Sequence, residues 1–120
     1  MPKTVLIAED FADSRRALKF KIQTCGYEVI EAEDGYDAVE KAIKYHPDLI
    51  LMDLMMPLMD GLTATQIIRK FDASADVPII ALTGSGNTCR ESAIEAGCDD
   101  VINKPFDFEN IEPFLSQYLA

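Results

Sequence analysis

The chain has 120 residues, with 21 acidic against 11 basic side chains and a formal net charge of −10. That length is one domain, residues 1–120, long enough to bury roughly two thirds of the surface its unfolded form exposes. The acidic balance argues against nucleic acid, which wants clustered Lys and Arg, and against anionic membranes, while a 48% hydrophobic fraction argues against disorder.

Five short runs rich in Val, Ile and Leu set the chain order: residues 4–9 (TVLIAE), 27–31 (YEVIE), 48–53 (DLILMD), 77–82 (VPIIAL) and 100–103 (DVIN). After the first, residues 14–25 put Ala17, Leu18, Ile22 and Cys25 near one helical face. After the second, residues 37–45 do the same with Ala38, Val39, Ala42 and Ile43. Gly26, Gly35, Gly61 and Gly97 stand where helices start or stop, Asp34 and Asn87 are predicted N-caps, and His46 before Pro47 marks a helix end. Strands alternating with helices mean a parallel sheet: an α/β, doubly wound (βα)5 domain of five strands. The second run alternates most and is expected at an edge; the first, third and fourth read as strands buried on both faces. Pro113 needs a place in the first turn, so the last helix is expected to begin late, with Asn110 as N-cap and Pro113 third.

No 18-residue apolar stretch and no charged-then-apolar leader occur, so neither a membrane span nor a secretory signal is expected and the cytoplasm is the default location. Cys25, Cys89 and Cys98 are odd in number and widely spaced, which fits reduced, mostly buried cysteines rather than a disulfide framework or a zinc site. The methionines at 52, 55, 56 and 59 read as core and loop packing. Gly84-Ser85-Gly86 lacks the spacing of a phosphate loop.

The chemistry lies in what ends each strand. The first run closes on Glu9-Asp10, the third on Asp53, the fourth is followed by Thr83 and the fifth by Lys104-Pro105. All four fall at the carboxyl edge of the sheet, where doubly wound folds bind ligands. Asp53 sits in the apolar stretch LILMDLMMP and taken alone could simply cap the next turn. Three converging carboxylates repel one another and are best kept ionised by a hard divalent cation such as Mg²⁺. A carboxylate nucleophile with Mg²⁺, an ammonium and a hydroxyl donor suits phosphoryl transfer to Asp53.

With VLIAED, DLILMDLMMPLMDG, IIALT and Lys104-Pro105-Phe106 in this order and spacing, the chain resembles the receiver domain of two-component response regulators, in particular the single-domain chemotaxis regulators. The resemblance covers essentially all 120 residues. It implies a flavodoxin-like fold with strand order 2-1-3-4-5. It implies Asp53 as phosphoacceptor and Asp10 as direct Mg²⁺ ligand, with Glu9 acting through water and the Met55 carbonyl as a further ligand. It implies Thr83 and Lys104 as partners of the phosphoryl oxygens, with a cis Lys104–Pro105 bond aiming the lysine, and Pro57 and Gly61 shaping the loop after Asp53. A histidine kinase or histidine phosphotransfer protein would be the donor, and a downstream protein would bind the helix 4–strand 5–helix 5 face. On this reading the chain is no enzyme beyond catalysing its own phosphorylation and dephosphorylation.

Two other functions compete, a Mg²⁺-dependent phosphohydrolase and a degenerate receiver that is never phosphorylated. The hydrolase often carries a second Asp where Met55 stands, and the degenerate reading sits badly with Asp10, Asp53, Thr83 and Lys104 all present. Two departures matter further. The apolar Met55 is expected to lengthen the phosphoryl lifetime. Val101 stands where an aromatic switch residue is usual, which moves the expected rearrangement to residues 83–87.

Overall fold

Period-two alternation inside the apolar runs decides the architecture. In the first run Val5 and Ile7 join one buried cluster, while Leu6 and Ala8 join another. The same split recurs in the third run, Leu49 and Leu51 against Ile50 and Met52. A sheet apolar on both faces needs helices on both.

The computed structural model describes residues 2–71, 75–84, 90–104 and 109–119. In chain order the elements are β1 (Thr4–Ala8), α1 (Ala12–Thr24), β2 (Glu28–Ala32), α2 (Gly35–Tyr45), β3 (Leu49–Asp53), α3 (Gly61–Arg69), β4 (Ile79–Thr83), α4 (Arg90–Ala96), β5 (Asp100–Asn103) and α5 (Ile111–Leu119). The strands pair in parallel in the order β2-β1-β3-β4-β5. This is the doubly wound, flavodoxin-like arrangement the sequence predicts, with β2 at an edge. α1 and α5 supply Leu18, Ile22, Ile111, Leu115 and Leu119 to one face of the sheet. α2, α3 and α4 supply Ala38, Ala42, Ala64, Ile68 and Ala93 to the other. None of the described helices is long and apolar enough to cross a membrane.

Caps agree with the sequence where they are described. The Asp34 carboxylate accepts from the Asp37 amide at 2.8 Å and starts α2, and His46 ends it in the left-handed conformation, φ 48°. Asp60, not among the predicted N-caps, caps α3 by accepting from the Thr63 amide at 2.8 Å. α5 starts at Ile111, so Pro113 is its third residue, and the Asn110 carbonyl accepts from the Phe114 amide. Gly61 opens α3 hard against β3: a Cβ there would overlap the Asp53 carbonyl oxygen.

Four expectations need correcting. Ala17 is exposed, because the buried stripe of α1 narrows to Leu18 and Ile22. Cys25 lies just past that helix and is half-buried rather than buried; Cys98 is buried. Met52 and Met56 belong to the core, but Met55 is 71% exposed. Thr83 is the last residue of β4 rather than the residue after it. The predicted N-cap Asn87, Cys89, the Lys104–Pro105 bond and most of the 83–87 loop lie outside the described residues. Val101 packs against the α2–α4 side of the core from β5.

Candidate functional site

Strand register brings the site together. β1 pairs with β3 up to Ala8 and Met52, so the next step sets Glu9 beside Asp53. β4 pairs with β5 up to Thr83 and Asn103, and the Lys104 amide then donates to the Thr83 carbonyl at 2.8 Å. Four strand ends therefore deliver Glu9, Asp53, Thr83 and Lys104 to one edge. Asp10 follows in the turn into α1.

Glu9 and Asp53 are each only 3% exposed, Thr83 is fully buried and Asp10 is exposed. Carboxylate oxygens of Glu9, Asp10 and Asp53 lie within 4.8 Å of one another. The Lys104 ammonium donates to Asp53 Oδ2 at 2.8 Å and to both Glu9 oxygens at 3.2 and 3.3 Å. The second Asp53 oxygen accepts from the Met55 amide at 2.9 Å. Among the described residues no buried side-chain nitrogen or oxygen lacks a hydrogen-bond partner.

The electrostatics are unbalanced all the same. Burial, reinforced by the hydrogen bond to Asp53 and by its charge, pushes the Glu9 carboxyl up to about 8 against the pull of Lys104. Lys104 moves the other way from what its burial would dictate: hydrogen bonds and charge from Asp53 and then Glu9 hold its ammonium above the usual range. One ammonium serves two buried carboxylates, and a third stands nearby. Three hard oxygen donors with a surplus of negative charge fit a small divalent cation of the Mg²⁺ kind, which takes one or two carboxylates and completes its shell with water and phosphate oxygens.

All the residues singled out in the sequence, Glu9, Asp10, Asp53, Thr83 and Lys104, reach this edge, and Met55 enters through its amide. Arg15 also reaches this edge, although nothing in the residue pattern marks it. Its guanidinium donates to the Glu9 carbonyl at 2.8 Å and to Glu31 Oε1 at 3.1 Å.

Residues 5–115 match the family model of the response regulator receiver domain. The chain belongs to that family. This receiver is 33% identical to the polar-differentiation response regulator DivK of Brucella anthropi, over all of its own length and 98% of that protein. It is 36% identical to the DNA-binding dual master transcriptional regulator RpaA of a Synechocystis strain, over 92% of its own length but 46% of that protein. A match to the ycf27 regulator of Galdieria sulphuraria, 42% identical, likewise covers 90% of the receiver and 42% of the relative, so the chain spans less than half the length of these transcriptional regulators. Among solved structures, the receiver domain of sensor histidine kinase PA1611 from Pseudomonas aeruginosa superposes with a TM-score of 0.92 at 32% identity, covering 99% and 98% of the two chains. That structure carries a magnesium ion coordinated in its active-site cleft. Chemotaxis protein CheY4 of Vibrio cholerae gives a TM-score of 0.92 at 29% identity over 99% of this receiver and all of that chain.

Proposed function

We propose that this receiver is a phosphoaccepting switch. It takes a phosphoryl group from a phosphohistidine donor, a histidine kinase or histidine phosphotransfer protein, onto Asp53 and then changes protein partners. The observation that carries the reading is the buried Asp53 carboxylate, held between Lys104 and the Met55 amide beside a cluster of surplus negative charge.

Asp53 attacks the phosphorus of the donor; the new P–O bond forms as the P–N bond breaks, and the imidazole nitrogen leaves with its electron pair and takes up a proton. Asp10, Asp53 and the Met55 carbonyl would hold Mg²⁺, with Glu9 acting through water. When bound, Mg²⁺ offsets charge on the transferring phosphoryl oxygens. Lys104 moves from pairing carboxylates to pairing a phosphoryl oxygen, and the Thr83 hydroxyl donates to another. Hydrolysis of the acyl phosphate by water returns Asp53 and releases inorganic phosphate, so the only reactions catalysed are the receiver's own. Met55 supports a switch over a hydrolase, since a thioether cannot serve as a second acid and base.

Output leaves through the α4–β5–α5 face. Asp100 ties the three elements together there: it accepts from Arg90 of α4 at 3.3 Å and from the Tyr118 hydroxyl of α5 at 3.3 Å.

Incubation with acetyl phosphate and Mg²⁺, followed by intact mass, tests the reading. A gain of one phosphoryl group that disappears in Asp53→Asn is the expected result. No gain would leave a receiver that binds partners unmodified. Rapid multiple turnover of general phosphate esters would mean a hydrolase.

A further inference from the structure

Of the three clustered carboxylates, Asp10 has the least to hold it. Glu9 and Asp53 are buried at strand ends, whereas Asp10 lies in the two-residue connection between Glu9 and the start of α1, and the helix's N-cap position, Phe11, offers no side-chain cap. What fixes that connection is the main chain of Glu9, whose carbonyl is part of the peptide leading to Asp10. On one side, the Glu9 amide donates to the Ala32 carbonyl of β2 at 3.1 Å. On the other, the Glu9 carbonyl accepts from Arg15 Nη1 at 2.8 Å.

Arg15 is itself well anchored. Its side chain is 12% exposed, and its Nε donates to Glu31 Oε1 at 3.1 Å. Glu31 is in turn held by Lys19 of α1 on its other oxygen, also at 3.1 Å. Glu33 stands 3.9 Å from the remaining guanidinium nitrogen. The planar fork thus spans a carboxylate from the end of β2 and a main-chain oxygen from the end of β1, a reach that a lysine's single ammonium does not reproduce.

We infer that Arg15 is a positioning residue for the cation site: by gripping the Glu9 carbonyl it fixes the peptide that carries the Asp10 carboxylate. The inference rests on the Mg²⁺-dependent reading proposed above. Charge alone predicts the opposite effect, because a guanidinium beside a cation site repels the cation. Glu31 balances that charge, and geometry is what Arg15 contributes. The sign of the effect therefore separates the two roles.

Mg²⁺ titrations followed by amide NMR shifts, on wild type, Arg15→Gln and Arg15→Lys, test it, with thermal melts of each in parallel. Arg15→Gln should weaken Mg²⁺ binding roughly tenfold, the scale seen when partners of metal ligands are removed. Arg15→Lys should recover only part of this. The Asp10 amide nitrogen should shift in Arg15→Gln before any Mg²⁺ is added, since its peptide loses a hydrogen bond. A merely structural arginine would lower the melting temperature and leave both readouts alone. If Arg15→Gln does not fold, Arg15→Lys decides: it keeps the positive charge but not the planar fork, and should show a smaller loss in the same direction. Unchanged or tighter Mg²⁺ binding in these variants, beside a wild type that binds, overturns the positioning role alone. A wild type that binds no Mg²⁺ overturns it together with the reading beneath it.

Discussion

At the N-terminal edge of the sheet Asp48 and Asp99 each aim a carboxylate at the first amide of a strand; at the C-terminal edge Glu9 and Asp53 share one lysine. Asp48 accepts from the Thr4 amide at 2.8 Å. Asp99 accepts from the Ile79 amide and from Arg69 Nη2, both at 2.9 Å. Arg69 spends its other donors on the carbonyls of Gly97, Ala75 and Val77. Asp48, Asp99 and Arg69 each meet main-chain partners, and the result is a brace between α3, β4 and the turn into β5. At the opposite edge Asp53 keeps one main-chain donor, the Met55 amide, but the other partners are side chains, the signs do not balance, and one carboxyl is driven far above its ordinary value. Acids paired with main-chain donors hold a fold together. Acids paired with one another are waiting for a ligand.

The contrast predicts opposite consequences for stability and activity. Arg69→Ala, which strips several charge-assisted hydrogen bonds at once, should cost about 3 kcal/mol in urea unfolding. Phosphoryl uptake per folded molecule should stay within about twofold of wild type; a lost activity would mean the two edges are coupled. Asp53→Asn should do the reverse. It abolishes uptake yet stabilises the cation-free protein by about 1 kcal/mol when measured above pH 8, where Glu9 is ionised and the substitution removes a like charge from beside it. A destabilised Asp53→Asn would show that Lys104 already balances the cluster.

How much of this was visible beforehand depends on the kind of contact. The five strands, their edge and centre, and the late start of α5 before Pro113 follow from local pattern and from the missing proline N–H. Asp53 stood out because a carboxylate interrupts an apolar run. Arg15 did not, since Arg15-Arg16 in an amphipathic helix reads as a solvated pair until the turn of α1 brings it over the Glu9 carbonyl. Arg69 was hidden for the same reason: its acceptors are backbone atoms contributed by segments remote in sequence, and a carbonyl carries no side-chain signature. Ala17 was misplaced because alanine fits either face of a helix. The proton held by Glu9 depends on burial and on Asp53 together, which one-dimensional spacing does not reveal.

That proton gives the next test. Glu9 binds it more tightly in the folded state than in the unfolded chain, where the ordinary value is 4.5. As pH rises from 4.5 toward about 8 the unfolded chain gives up the proton first, so the cation-free fold loses stability across that window and levels off above it. Thermal melts without Mg²⁺ should show this decline in wild type relative to Glu9→Gln, which has no proton to release. Parallel curves would remove the asymmetry between the edges. The smallest expected effect concerns Met55, whose exposed thioether offers no strong hydrogen bond to an attacking water. Met55→Asn should shorten the lifetime of phosphorylated Asp53 by a few fold in a chase by intact mass, and an unchanged lifetime would clear Met55 of any part in it.

The bond from Lys104 to Glu9 joins positions 95 residues apart, and that to Asp53 spans 51. Contacts of such span close last, because the chain between them must be ordered before they form. A nascent or partly folded chain that has paired β1 with β3 but not yet added β5 holds its carboxylates together with no ammonium among them. Such a species is poorly balanced in charge and has no lysine to meet a phosphoryl group. The carboxylates at this edge thus gain Lys104 only once β5 has docked.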